Sequence, residues 1–394
     1  MSHFLPRTAA LVCLAVFHLS LQHAAAFQTS PAPAENRDQT LRDEAATILA
    51  APTDPAALIR LIMIDLELST DHAAESRTTC RSILQHLALS NDDNALQHVR
   101  TVFENEPERR SIAAYAISQA ALEHPAELHD WRLMVRSLPV LNTSDAPSVL
   151  QALKRYRIRA NKSQWVRHVI LLGLKLPEDQ RSPAIELLQH WTTLPKPAEQ
   201  PWSLTQYQTW FAAEYPDAPP ATLPVDQPGR KWTMDKLLPA VLETHSTPEL
   251  AQQGAAVFEK AGCRKCHQRS SPNPAPGPDL TSLGWRRQKA EILQALLYPS
   301  HELHEEYPSV TVQLQDGTQV SGLLQASPKN TLAIVNNQGE RREFPRGEVE
   351  QIRNQPVSNM PEGTLEPLSQ PEILALIAWL TSVDGVPKPH TDEE

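Results

Sequence analysis

Two cysteines and a histidine stand together in the segment Gly262-Cys-Arg-Lys-Cys-His267. Cys263 and Cys266 are separated by two residues and His267 follows directly, which is the C-x-x-C-H pattern of c-type haem attachment. Two thiols at this spacing can add to the two vinyl groups on one edge of a porphyrin, and the adjacent imidazole can then bind the iron. A thioredoxin-like pair would need a surrounding βαβ pattern, a zinc site would need a second ligand pair, and a disulfide across so short a loop would be unusual. The motif therefore predicts one haem c, bound covalently through Cys263 and Cys266.

A candidate for the second axial ligand lies 93 residues after this histidine, at Met360 in the segment SNMPEG. A methionine thioether is a soft axial ligand that raises the reduction potential of a haem iron. A surface or packing role is the alternative for an isolated methionine, but its position just before the C-terminal helix favours ligation. The competing ligands are His301 and His304, in a polar stretch, and Met234, which precedes the motif. We expect His267 and Met360 to be the metal ligands.

The segment Gly277-Pro278-Asp279-Leu280 follows the motif by ten residues. The Pro278 carbonyl can accept the second ring N–H of His267 and fix the orientation of the imidazole, and Leu280 can pack on the porphyrin. A guanidinium pairs well with a carboxylate, although ordinary solvated charge is an equal alternative for an exposed arginine. Three further residues are candidate partners of the haem propionates: Trp285, Arg286 and Arg287.

Two helices are expected to flank the motif. Thr247 can cap a helix with Pro248 in its first turn, and this helix carries Gly254 and Phe258 towards the cysteines. Near the C-terminus, Ser369-Gln-Pro-Glu is a capping box that opens the apolar run EILALIAWL. A glycine on the first helix permits a close crossing, and Trp379 of the second helix is the expected partner of Phe258.

A β-pattern interrupts the region between the two proposed ligands. Val310, Val312 and Leu314 alternate with polar residues, and Asp316-Gly317 and Asn337-Gln338-Gly339 are typical of hairpin turns. We predict a small antiparallel sheet or half-barrel over about residues 308–353. It contains no acid–base or nucleophile arrangement, so a structural lid and a partner surface are the two interpretations.

The first half of the chain has a helical pattern throughout residues 38–214. Helix starts recur about every 17–20 residues, so a helix pair repeats at about 35–40, a period typical of HEAT-like α-solenoids. An irregular helical bundle is the alternative. The predicted fold class is thus mainly α: an N-terminal HEAT-like repeat domain followed by a helical haem domain with the inserted sheet.

The N-terminus resembles a secretory signal, with Arg7, an apolar run over 8–21 and Ala24-Ala25-Ala26. The run is short for a membrane span, although an uncleaved anchor is the alternative. No other stretch is long and apolar enough to span a bilayer, so we expect an exported, periplasmic protein cleaved after about Ala26. The expected segments are a signal peptide (1–26), a flexible leader (27–37), the helical domain (38–214), a Pro-rich linker and lead-in (215–246), the haem domain (247–385) and a polar tail (386–394).

Composition excludes several classes of protein. The chain has 36 basic and 46 acidic residues, a net charge of −10, and no basic patch that would indicate nucleic-acid binding. The apolar fraction of 41% is enough for real cores, which excludes global disorder. Four cysteines, at positions 13, 80, 263 and 266, are too few for a disulfide framework.

Residues from about 249 to 383 resemble class I c-type cytochromes, and more closely the c-type haem-binding domain family of planctomycetes and verrucomicrobia. The matching segments are GAAVFEKAGCRKCH, GPDLTSLGWRR, ILQALLYPS, SNMPEG and LSQPEILALIAWL. In that family the domain often follows helical repeats and sometimes a β-propeller dehydrogenase-like module; this chain contains nothing resembling the propeller. The resemblance implies His267 and Met360 as axial ligands and thioether bonds at Cys263 and Cys266.

Together these features predict an exported electron-transfer protein with one His/Met-ligated haem. The expected partner is a redox protein, such as a periplasmic dehydrogenase, docked by the helical region. An open-site haem enzyme of peroxidase type and a haem-bearing scaffold or sensor are the alternatives.

Overall fold

The computed structural model describes residues 34–52, 54–71, 73–125, 127–192, 194, 201–269, 275–304, 306–383 and 386. The predicted signal peptide, most of the leader and most of the tail lie outside these residues. The last residues of the predicted leader, from Ala34, belong to the first described helix. The chain forms two compact units that divide between Ile83 and Leu84.

Helices dominate the described residues, as predicted. They are α1 (Ala34–Leu49), α2 (Pro55–Leu68), α3 (Ala74–Leu89), α4 (Asp93–Asn105), α5 (Arg110–Glu123), α6 (Leu128–Ser137), α7 (Ala146–Lys154), α8 (Ser163–Lys175), α9 (Ser182–Thr192), α10 (Leu204–Glu214), α11 (Met234–Glu243), α12 (Pro248–Lys260), α13 (Leu283–Arg286), α14 (Lys289–Leu297) and α15 (Gln370–Thr381). Local signals set several starts: the Asp54 and Asp92 side chains accept hydrogen bonds from backbone N–H groups in the first turns of α2 and α4.

Alternate helices of the first half begin at a regular interval. The starts of α4, α6 and α8 are at residues 93, 128 and 163, and those of α5, α7 and α9 are at 110, 146 and 182. Helix α7 packs against both α5 and α9, and the rings of Trp131 in α6 and Trp165 in α8 meet edge to face at 5.4 Å. Each helix therefore stacks on the one two places before it, at an interval within the predicted 35–40 residues.

A five-stranded antiparallel sheet occupies the interval predicted to be β. Its strands are β1 (Ser309–Leu314), β2 (Gln319–Gln325), β3 (Thr331–Val335), β4 (Arg341–Pro345) and β5 (Val349–Asn354), in the order β4-β3-β2-β1-β5. Gly317 and Gly339 have positive φ at the two predicted turns. One face of the sheet encloses a small core made by five residues: Val310, Val312, Leu314, Leu332 and Ile334.

The helices after residue 233 share one apolar core. Helices α12 and α15 make its closest helix pair, and α11, α13 and α14 pack around them. The helix α11 lies inside the predicted lead-in, for which the sequence analysis named no element, and it has Pro239 in its interior. Within the described part of the chain, no helix has the length and apolar character needed to cross a membrane.

Candidate functional site

The crossing of α12 and α15 forms the base of the site. Thr247 caps α12 through the Leu250 N–H, and Ser369 and Glu372 form the predicted capping box of α15. A Cβ at Gly254 would overlap the Ala375 carbonyl, so only glycine allows the helices to approach this closely. The centroids of Phe258 and Trp379 are 4.7 Å apart, which is the pairing the sequence predicted.

Helix α12 is followed by a short 3₁₀ turn, Cys263–Lys265, and Cys266 comes directly after it. The thiols of Cys263 and Cys266 are both free. Burial raises the pKa of Cys263 to about 11 and also raises the pKa of Cys266. Both side chains are therefore protonated at neutral pH. Thioredoxin-type exchange uses a thiolate, so this environment does not favour it.

The imidazole of His267 is oriented by one backbone contact. Its Nδ1 lies 2.9 Å from the Pro278 carbonyl oxygen, the contact expected from the sequence. A carbonyl only accepts hydrogen bonds, so Nδ1 carries the proton and Nε2 keeps its lone pair. Burial lowers the pKa of His267, although the bond to Pro278 acts in the opposite direction. The ring is thus a neutral imidazole with Nε2 available to a metal, as in many metal sites where a carbonyl holds the other ring nitrogen.

Met360 packs against the apolar core that also contacts Cys263, Leu280 and Leu283. Its loop is fixed by two hydrogen bonds: the Met360 N–H donates to Ser358 Oγ at 3.1 Å, and the Ser358 N–H donates to Ser300 Oγ at 3.1 Å. A cysteine of the motif, the predicted porphyrin-packing leucine and the predicted methionine ligand therefore pack against the same apolar core.

The three predicted propionate partners differ in their surroundings. Trp285 donates through Nε1 to the Val386 carbonyl, and Arg287 pairs with Glu291 at 2.8 Å. Arg286 donates through Nη2 to the Asp279 carbonyl at 3.3 Å, while its buried Nε has no hydrogen-bond partner among the described residues. Of the three, Arg286 alone therefore presents an unsatisfied buried donor.

Unsatisfied buried polar atoms recur near both halves of the site. Besides Arg286, they occur on Gln268 and Arg269, directly after the motif, and on Thr364, four residues after Met360. Among the described residues, four further buried atoms without partners lie in the first half of the chain, on His124, Trp131, Tyr156 and Trp191, so such atoms are not particular to this region. Buried polar groups normally have partners, and the nitrogen donors on Arg269 and Arg286 are of the kind that pairs with a carboxylate. The described residues thus fit a haem: they offer two protonated thiols, a neutral imidazole, a thioether, an apolar surface and unsatisfied donors.

The competing ligands have other contacts. His301 lies beside Arg167, whose Nη2 is 3.4 Å from its Nδ1 and 2.6 Å from its carbonyl oxygen. His304 stands edge to face with Tyr307, and Met234 packs on the same apolar core as Met360. In the described residues, no three His, Cys, Asp or Glu side chains come together as a metal cluster.

Sequence reasoning missed Arg269. Its guanidinium lies 4.7 Å from the centroid of Trp379, and its Nη2 donates to the Ser382 carbonyl at 2.5 Å. Arg269 thereby connects the segment after the motif to the C-terminal end of α15. The basic side chain two positions after His267 was a signal, but its aromatic partner lies 110 residues away in sequence.

Sequence comparisons do not assign the chain to a family. No protein-family model matches it. No curated protein matches it either.

Proposed function

We propose that this chain is an exported c-type cytochrome that transfers electrons through one covalently attached haem. The observation that carries this proposal is the orientation of His267 by Pro278 directly after two protonated thiols, of which Cys263 packs against the same apolar core as Met360. When bound, the haem would supply an iron that cycles between the ferric and ferrous states.

Each residue has a definite task in this proposal. Cys263 and Cys266 would hold the group by adding their S–H bonds across its vinyl groups, and His267 would offer Nε2 to the metal. The Pro278 carbonyl keeps the ring from rotating and increases its electron donation. Met360 would offer its sulfur from the loop that precedes α15, and Arg286 could offer its unsatisfied Nε to a carboxylate.

The contacts of the alternative histidine ligand favour electron transfer over an open-site enzyme. A peroxidase-type site would need acid–base groups aimed at an open metal position. The ring of His301 lies beside Arg167 instead, and Met360 packs on the apolar core.

We further propose that the first half of the chain is a HEAT-like repeat that docks a redox partner. The 35- or 36-residue interval between alternate helices and their stacking support this proposal. Export is part of the same account because covalent haem attachment takes place outside the bacterial cytoplasm, in agreement with the predicted signal segment.

The ferric absorption spectrum tests the ligand assignment. The wild-type protein is expected to show the weak band at the red end of the spectrum that marks methionine–iron ligation. Met360→Ala should abolish this band and lower the reduction potential, because a methionine ligand raises it. Met234→Ala is the matched control, since Met234 packs on the same core, and should retain the band. A high-spin spectrum for the wild type, or a band that persists in Met360→Ala, would contradict the assignment.

A further inference from the structure

The inserted sheet contacts all three loops that would hold the haem, and it does so at one corner. The Asn359 side chain, next to Met360, donates from Nδ2 to the carbonyl oxygen of Val335 at the end of β3, at 3.3 Å. The Gln325 side chain, at the end of β2, donates to the carbonyl oxygen of Pro276 at 3.0 Å. Pro276 lies two residues before the carbonyl that orients His267.

The third contact is made by the turn between β3 and β4. A Cβ built on Gly339 would lie 3.1 Å from Cβ and 3.2 Å from the carbonyl oxygen of Lys265, inside the C-x-x-C-H motif. Gly339 has a φ of 82°, so both its backbone conformation and its closeness to Lys265 favour glycine. The turn itself is firmly held, because Asn336 Oδ1 accepts from the N–H groups of Gln338 and Glu340, both at 2.9 Å.

Burial shows that this corner of the sheet is covered on both faces. In β3, Leu332 and Ile334 face the small core of the sheet. Ala333 and Val335 point to the opposite face and are nevertheless 0% and 1% exposed. The edge strands β4 and β5, in contrast, are exposed along nearly their whole length. The contacts with the site are therefore made from the inner strands β2 and β3 and from the turn that follows β3.

The inserted sheet belongs to a segment that leaves the helical core and returns to it at the same place. The backbone leaves the helical core after Ser300 and returns at Ser358, and these two residues are hydrogen-bonded to each other at 3.1 Å. No residue of the intervening strands belongs to the apolar core of the helices. Packing of that core therefore does not explain why the inserted segment contacts three loops.

We propose that the inserted sheet is a brace for the haem-binding loops, with Asn359 as the positioning residue for Met360. The sheet holds the motif through Gly339, the Pro276 segment through Gln325 and the methionine loop through Asn359. This inference rests on the proposed function, since it concerns how firmly Met360 is held at the iron.

Displacement of Met360 by imidazole measures the effect of the brace. A hydrogen bond contributes about 1 kcal/mol net, which corresponds to a factor of about five in an equilibrium constant. In ferric full-length protein, Asn359→Ala and the similarly sized Asn359→Asp should therefore lower the imidazole concentration for half-displacement about fivefold. Asn354→Ala, at the exposed end of β5, is the matched control and should leave the midpoint unchanged.

The outcomes separate the brace from the proposed function. A wild type with the methionine–iron band, together with Asn359 variants that keep the wild-type midpoint, would overturn the brace and leave the cytochrome proposal standing. A wild type without covalent haem or without that band would overturn the proposed ligand set, and the brace with it. A shift in the unfolding temperature alone, at an unchanged midpoint, would indicate only a structural role for Asn359.

A second measurement needs no variant and covers the case in which the substitutions prevent folding. Hydrogen exchange is measured on the wild-type ferric protein with and without saturating imidazole. If the loop of Met360 and the turn at Gly339 are braced together, amide protection over residues 336–340 should fall when imidazole displaces the methionine. Unchanged protection over these residues would contradict the brace.

Discussion

At the scale of single residues, the close packing of α12 against α15 decides which side chain can occupy position 254. Gly254 lies where a Cβ would overlap the Ala375 carbonyl, and the Phe258 and Trp379 rings meet one turn further along α12. In a helix interior alanine is favoured over glycine by up to about 1 kcal/mol. Overlap with backbone costs about 1–3 kcal/mol because neither helix can move without disturbing the core. The steric cost should therefore outweigh the propensity gain.

Gly254→Ala is accordingly expected to lower the free energy of unfolding by up to about 2 kcal/mol. Chemical denaturation followed by circular dichroism measures the change. Gly347→Ala is the control, because a Cβ there meets nothing within 4 Å, and it should change stability by less than about 0.5 kcal/mol. A Gly254→Ala protein more stable than the wild type would show that the helices do not cross this closely.

At the scale of elements, a charged cluster joins α8 to the segment after α14. The guanidinium of Arg167, only 4% exposed, pairs with Glu302 at 3.0 Å. It also donates to the carbonyl oxygens of Pro219 at 3.0 Å and His301 at 2.6 Å. His168 completes the cluster at 3.3 Å from Glu302. Hydrogen bonds from Arg167 thus hold the Pro-rich linker before it reaches the helices that follow residue 233.

This cluster predicts a loss of stability in acid. Burial lowers the pKa of His301 to about 4, and the charge of Arg167 acts in the same direction. The ordinary pKa of histidine is about 6.5, so between pH 6.5 and 4 the unfolded chain binds a proton that the folded chain does not. Stability therefore falls as pH falls through this range, by up to about 1 kcal/mol per pH unit for this residue. The other charged groups near His301 are His168, Lys175 and Glu302.

Glu302 contributes at lower pH. Burial alone would raise its pKa, but the hydrogen bond and charge of His168, with the charges of Arg167 and His301, lower it to about 2. Its stabilising effect is full above about pH 4.5 and is lost as pH falls towards 2.

The contribution of His301 is measured through the free energy of unfolding from pH 7 to 5. His301→Asn should flatten the dependence of this free energy on pH, whereas the control His304→Asn should not. Equal slopes in the wild type and His301→Asn would contradict this account.

Elements with strong local signals could be predicted, and those fixed by distant contacts could not. Thr247, the Ser369 capping box and the turns at Gly317 and Gly339 act through neighbours within a few residues, so their sequence patterns were sufficient. The strand β5 has almost no buried face and hence no alternating pattern.

The missed contacts of the site join segments that are far apart in sequence. Arg110, in α5, donates to the carbonyl oxygen of Arg286, and Asn359 donates to that of Val335. In both, a side chain binds a backbone oxygen, and any residue presents such an oxygen. Neither pairing leaves a pattern in the amino-acid sequence.

At the scale of the whole molecule, charge and the placement of cysteines have different consequences. The net charge of −10 favours a partner with a basic docking surface, and salt would weaken their association. Among the cysteines that the structure describes, Cys80 is buried in α3, whereas Cys263 begins one short turn and Cys266 directly follows it. Of these three, Cys263 and Cys266 are the two that lie near enough in the chain to bind one group together.

Haem retention after denaturation tests the central claim most directly. Full-length protein from a host with a cytochrome c maturation system is run on a denaturing gel and stained for haem. We expect the stain on the wild type and on the control Cys80→Ala, and none on Cys263→Ser/Cys266→Ser. Loss of the haem from denatured wild-type protein, or its retention by the double variant, would contradict covalent attachment through these two cysteines.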